Sequence, residues 1–182
     1  MHRLRLAIST NYFPMIWPAP EKVTIRVHTE GSRLNLPMRG PVPEDDALRP
    51  FEEAEGAPPP DKEILEEPDE RWEIVEDART GQMEMRLAEG SGRVRFAASD
   101  LTTYSQGYES YRIMPNDIRS AIGETRWHYE MSRGDWAVRT ETETTLTADA
   151  TDFVVKARMR AWEGDDLVHE QSWDERIPRT LV

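Results

Sequence analysis

The sequence contains no cysteine, so neither disulfides nor thiolate metal sites can hold it together, and nothing argues for an oxidising compartment. A cytoplasmic address is the default expectation. No apolar run approaches the roughly eighteen residues of a transmembrane helix, and the chain is expected to be soluble with no membrane partner. The N-terminal apolar stretch alternates with arginine, is interrupted by Asn11 and Pro14, and ends in Trp17-Pro18-Ala19-Pro20 rather than in small residues suited to signal cleavage. Basic residues are in deficit, 23 against 35 acidic, for a net charge of −12. That balance disfavours nucleic acid, whose phosphates are bound by clustered Lys and Arg.

Hydrolytic and metal chemistry are equally sparse. A nucleophile elbow requires Gly-x-Ser-x-Gly, and the nearest approach, Gly90-Ser91-Gly92, has the wrong spacing and is expected to be a hairpin turn. The four histidines, His2, His28, His128 and His169, stand singly in alternating segments, where strand-face positions explain them better than general-base roles. Asp45-Asp46 and Asp165-Asp166 lack the alternating oxygen-ligand spacing of a calcium loop. No catalytic residue, cofactor or metal is expected.

Only 37% of residues are hydrophobic, 32% are charged, and the thirteen prolines concentrate in the first third. At 182 residues the chain suffices for one domain with a sizeable core, or for a smaller domain plus arms. Three regions follow. Residues 1–37 contain alternating segments at 3–9, 23–28 and 33–36, read as strands around the aromatic-proline loop from Tyr12 to Pro20. Residues 38–69 carry Pro41, Pro43, Pro50, Pro58-Pro59-Pro60 and Pro68 among acidic runs, the composition of an extended, solvated linker.

Residues 70–182 are the region where a domain can form. Trp72 and Ile74, then Met83, Met85 and Leu87, fall at every second position around a turn at 77–81, and Val94 and Phe96 continue the pattern. A longer segment spans 101–114, with Gly107 a candidate bulge. Trp127, Tyr129 and Met131 precede a turn at 132–135. Trp136 to Leu146, Phe153 to Ala161 and Leu167 to Ile177 complete an up-and-down series. Residues 116–122 could form one helical turn capped by Asn116 or Asp117. Alternation this regular predicts an all-β, antiparallel meander with one packed and one wet face, curled into a curved sheet, half-barrel or sandwich.

On the polar face, Arg139 to Thr145 against Lys156, Arg158 and Arg160 suggests cross-strand Glu–Arg pairing more than a binding surface. Trp72, Trp127 and Trp136 occupy apolar positions and are assigned to core packing rather than to a carbohydrate platform.

The run from His2 to Glu21, then Val23-Thr24-Ile25 and Ser32 to Pro37, resembles the C-terminal part of the X-Pro dipeptidyl-peptidase and cocaine-esterase (CocE/NonD) hydrolases. Arg133 to Thr142 and the ending Trp173-Asp174-Glu175-Arg176-Ile177-Pro178-Arg179 resemble the same proteins' C-terminal extension. The resemblance implies a catalytic α/β-hydrolase domain elsewhere, with a jelly roll behind it that is non-catalytic. Residues 1–37 would be the remnant of that jelly roll, and the chain itself, with no triad, would be a supporting domain and not an enzyme. The expected partner is the hydrolase catalytic domain, in cis in relatives and in trans here, contacted through Tyr12, Phe13, Met15 and Trp17. An unpaired edge at 3–9 makes a homodimer a further expectation. The alternative is a ligand-binding module whose sheet encloses a small apolar molecule among Met83, Met85, Tyr129, Met131, Phe153 and Met159.

Overall fold

The computed structural model describes residues 3–180; His2, expected on a strand face, lies outside the described residues. Two compact units are present: residues up to 24 together with those from 61 onward, and Ile25–Pro60. The second unit contains a single 3-10 turn, Pro43–Asp45, held by Arg39 Nη2 donating to Asp45 Oδ1 at 2.5 Å and Val42 N donating to Oδ2 at 3.1 Å. Every one of its residues except Asp45 is exposed.

The first unit is built on eight antiparallel strands: β1 Lys62–Glu66, β2 Arg71–Glu76, β3 Met83–Phe96, β4 Leu101–Met114, β5 Asp117–Arg133, β6 Trp136–Ala148, β7 Asp152–Glu163 and β8 Asp166–Pro178. They form one curved, unclosed sheet in the order β1-β3-β4-β5-β6-β7-β8, with β2 also on β3. The all-β meander expected from alternation is what the chain adopts. Tight turns after β2, β5 and β7 use Gly81, Gly134 and Gly164 at positive φ, a conformation that costs other residues about 1–2 kcal/mol. At the turn after β2, the Asp77 carboxylate accepts from the backbone of Thr80 and Arg79, which holds its pKa below the usual range.

Four details differ from the sequence reading. Gly90-Ser91-Gly92 is no hairpin turn but lies inside β3, where the pairing with β4 slips between Gly90 and Gly92. A Cβ on Gly90 would stand 2.2 Å from the Ser105 carbonyl oxygen, and one on Gly92 2.1 Å from that of Glu66. The glycines are there so that three backbones can converge. Gly107 is regularly paired, with Glu89 on one side and Trp127 on the other, so the bulge belongs to β3. Residues 116–122 make no helical turn: Asn116, at φ 59, is a hairpin residue and β5 begins at Asp117. Ser120 Oγ closes this hairpin, accepting from Met114 N at 2.7 Å and donating to the Asp117 carbonyl at 2.6 Å.

The segments 3–9, 23–28 and 33–36 form no strand. Among the described residues the one isolated bridge outside the named strands is Tyr12 with Ile16. Alternation supplies a strand's faces but not its ladder, which needs a neighbour's N–H and C=O groups.

The β3 bulge is an anchor as well as a bend. β1 and β2 follow each other along one edge of β3, and Gln106, 4% exposed, ties down the link between them. Its Oε1 accepts from Asp69 N at 2.9 Å, while Nε2 donates to the carbonyls of Asp69 at 3.0 Å and Glu89 at 3.3 Å. Gly92→Ala should lower the unfolding free energy by about 3 kcal/mol, from left-handed strain plus the clash with Glu66. Gly134→Ala has the same strain with nothing within 4 Å and should lose about 1 kcal/mol. Urea titration of the two variants compares them directly.

Candidate interaction surface

Strand parity divides the sheet into two chemically different faces. In one row across it, Trp72, Leu87, Glu109, Thr125, Thr144, Ala157 and Trp173 are successive register partners. The neighbouring row on this face runs Glu89, Gly107, Trp127, Thr142, Met159 and Gln171. Tyr129, Met131, Val138, Met85, Tyr111 and Phe153 share its parity. This is the apolar face.

The aromatic-proline segment covers one end of it. Phe13 and Trp17 meet edge to face at 5.4 Å between centroids; Phe13 meets Tyr111 at 6.3 Å and Trp17 meets Phe153 at 6.4 Å in the same manner. Gly123 lies beneath the cluster, where a Cβ would stand 3.3 Å from the Tyr111 ring and in ordinary contact, 3.5 Å, with the Trp17 ring. Such pairs add about 0.5–1.5 kcal/mol each beyond area burial. Pro18 is fully buried, and its carbonyl accepts from Arg179, whose guanidinium lies 4.8 Å from the Phe153 ring centre. Phe13 and Trp17 are thus turned toward the sheet, whereas Tyr12 and Met15 are exposed.

The other end of the face is bare. Trp127 lies on Gly107, where a Cβ would be 2.7 Å from its ring, and stacks on Tyr129 at 5.5 Å and 7°. Tyr129, Met131 and Trp136 are exposed there, and Trp72, on the sheet's border, is 76% exposed. Trp72 and Trp136 therefore have the parity expected of core residues but no second layer above them. Among the described residues, the buried hydrophobic side chains other than Pro18 are small: Ala88, Val94 and Ala121. The residues proposed to ring a ligand cavity lie on one face of a sheet that does not close on itself.

The opposite face is an ionic lattice. Arg93 Nη1 donates to Glu130 Oε2 at 2.6 Å and its guanidinium lies 4.7 Å from the Tyr104 ring centre; His128 Nε2 stands 2.9 Å from Glu130 Oε1. Burial raises the Glu130 pKa, but Arg93, His128 and Arg139 outweigh it and hold the carboxyl below its usual range. Arg160 bonds Glu141 at 2.7 Å, the cross-strand pairing foreseen between β6 and β7, whereas Lys156 faces β8 instead, 3.6 Å from Asp174. Arg139 lies over Trp162 at 4.1 Å. A shallow depression on this face is bordered by Tyr104, Tyr108, Arg126, His128, Glu141 and Glu143. The centre of the lattice, Arg93–Glu130, is a contact between β3 and β5 across β4, which strand-by-strand reading does not reveal.

Among the described residues, no group of three or more His, Asp or Glu could hold a metal ion, and no helix is long and apolar enough to cross a membrane. The chain matches no protein family, no curated protein and no solved structure.

Tyr111 reports on the covered end of the apolar face. Burial, then the hydrogen bond from its hydroxyl to Glu109 at 2.7 Å, push its pKa up to about 12. Because the folded value lies above the unfolded one, this group's contribution to stability is complete below pH of about 10 and is lost as pH rises through about 12. In an absorbance titration at alkaline pH, Tyr111 should ionise last of the five tyrosines. Phe13→Ala, which opens its ring to water, should bring that step back toward the others.

Proposed function

We propose that this chain is a non-catalytic, supporting domain of a serine hydrolase of the X-Pro dipeptidyl-peptidase and cocaine-esterase kind, acting in the cytoplasm against a separately folded catalytic body. The observation that carries this reading is the uncovered apolar face around Trp127, Tyr129, Met131 and Trp136. An aromatic surface of this kind is stable in water only at a cost of about 25 cal/mol per Å², and contiguous patches of this kind mark sites where another body docks. The segments 3–9, 23–28 and 33–36 support it from the other side. Their alternation suits strands, and a partner's sheet would supply the ladder they lack.

Among the described residues no serine or threonine hydroxyl is hydrogen-bonded to a histidine ring, and His128, the histidine held nearest to a carboxylate, has Glu130 and Tyr104 as its neighbours. An enclosed small-ligand site would need the sheet to curl shut, and it stays open.

Two experiments test the proposal. The purified chain should turn over neither a chromogenic acetyl ester nor an Ala-Pro anilide; turnover abolished by a serine-directed inhibitor would overturn it. Co-expression with the α/β-hydrolase and jelly-roll portion of a hydrolase of that kind should yield a stable complex. Trp127→Asp should weaken that complex at least tenfold, since it removes aromatic contact and buries a charge. An unchanged affinity would exclude the apolar face as the docking surface.

A further inference from the structure

Independently of the hydrolase reading, we propose that β8 is a self-pairing edge, through which two copies of this chain join antiparallel about a two-fold axis at Trp173, so that one sheet runs through both. β8 is thirteen residues long and ends the sheet, pairing among the described residues with β7 alone. All its side chains but Trp173 are exposed. Its alternate N–H and C=O groups point away from β7, as they do in any edge strand. Two of the usual guards, lysine and proline, do not occur before Pro178, and the register slip against β7 is confined to the first residues, opposite Ala161 and Trp162. The guard that β8 does carry is charge, at Asp166, Glu170, Asp174, Glu175 and Arg176, so the pairing depends on how those charges meet.

The charges of β8 read the same way. Residues directly opposite in coplanar strands share a face, so a two-fold must be centred on a residue, not between two. Centred on Glu170, Asp174 or Glu175, the pairing sets a carboxylate on itself; centred on Ser172, it sets Glu170 against Asp174 twice. Centred on Trp173, it sets Glu170 of each copy against Arg176 of the other, Ser172 against Asp174, Gln171 against Glu175, and Trp173 on Trp173. No like charges are directly opposite, and an aromatic pair occupies the axis. Glu170 already accepts from Arg158 Nε at 2.8 Å, and Arg176 donates to Asp152 at 3.1 Å. The new contact links these two pairs into a run of alternating sign. A centre on Gln171 is also free of opposed like charges, but it sets Leu167 against Glu175 and leaves no aromatic pair on the axis. The fit is of the strand to itself, which is why the occupant is a second copy rather than an unrelated chain.

The absence of cysteine makes the register directly testable, because any introduced thiol is unique. Directly opposed Cα atoms lie about 4.5–5.5 Å apart, inside disulfide range. In this register Trp173→Cys should cross-link to itself under mild oxidation. Gln171→Cys on the same face should not, since two copies of residue 171 stand four positions apart, about 13 Å along the strands. Ser172→Cys and Asp174→Cys alter exposed positions and guard against loss of folding at Trp173. Each should form no disulfide cross-link alone, and the two should cross-link when mixed. The unmodified chain should sediment as a dimer. A chain that stays monomeric at its highest soluble concentration overturns the proposal. So does cross-linking at Gln171→Cys equal to that at Trp173→Cys, or a dimer in which neither Trp173→Cys nor the mixed pair cross-links.

Discussion

The ladder between β4 and β5 is the constraint from which the rest of the sheet follows. Its middle pair sets Gly107 against Trp127, and the indole rests on the bare glycine backbone at a distance no Cβ would allow. With that pair fixed, period-two geometry assigns every other side chain on the central strands to a face. A slip of one residue would carry Trp127, Tyr129 and Met131 to the ionic side and place Arg126, His128 and Glu130 on the apolar face. Neither face would tolerate the exchange, so the register is specified from both sides at once.

The two faces stabilise the sheet by different means and to different extents. The ionic lattice is broad, but most of its pairs are a third or more exposed, and pairs of that kind are worth about 0–1 kcal/mol each. Its effect is selective, because a shifted register would oppose like charges. The apolar face provides the larger driving force only where something covers it. There the chain uses its own Phe13, Trp17 and Pro18, clasped from the far end by Arg179 beside Phe153. First and last described segments thus meet over the same end of the sheet, closing a loop through most of the sequence.

Much of this architecture was legible in the sequence, and the gaps have physical causes. Strands β4, β6, β7 and β8, the second half of β5, and the turns at Gly81, Gly134 and Gly164 follow from alternation and from glycine at turn positions. What alternation cannot show is whether a partner exists. Residues 3–9 have the pattern of a strand and no ladder, and Trp72 and Trp136 have core parity with no layer above them. Gly90 and Gly92 misled for the converse reason. Glycine marks a close backbone approach as readily as a turn, and which of the two holds depends on Glu66 and Ser105, far away in sequence. The Arg93–Glu130 contact and the Gln106 anchor are likewise consequences of strand order, which no single segment encodes. The Phe13–Trp17 segment reads in the sequence as a partner contact; that the chain's own Tyr111 and Phe153 pack against its rings follows from the register.

The kink in β3 has a further consequence for how far sheets of this kind can grow. Along that border the outermost chain is interrupted: five residues of β1, a corner containing Pro68, then six residues of β2, with a slip in β1 between Ile64 and Glu66. No long straight template is on offer there. The opposite border is continuous over thirteen residues. A body with one interrupted and one continuous border can meet its own kind once and then has no second border to extend from. Unlimited end-to-end growth, the hazard of any open sheet, is thereby stopped by two glycines and a proline.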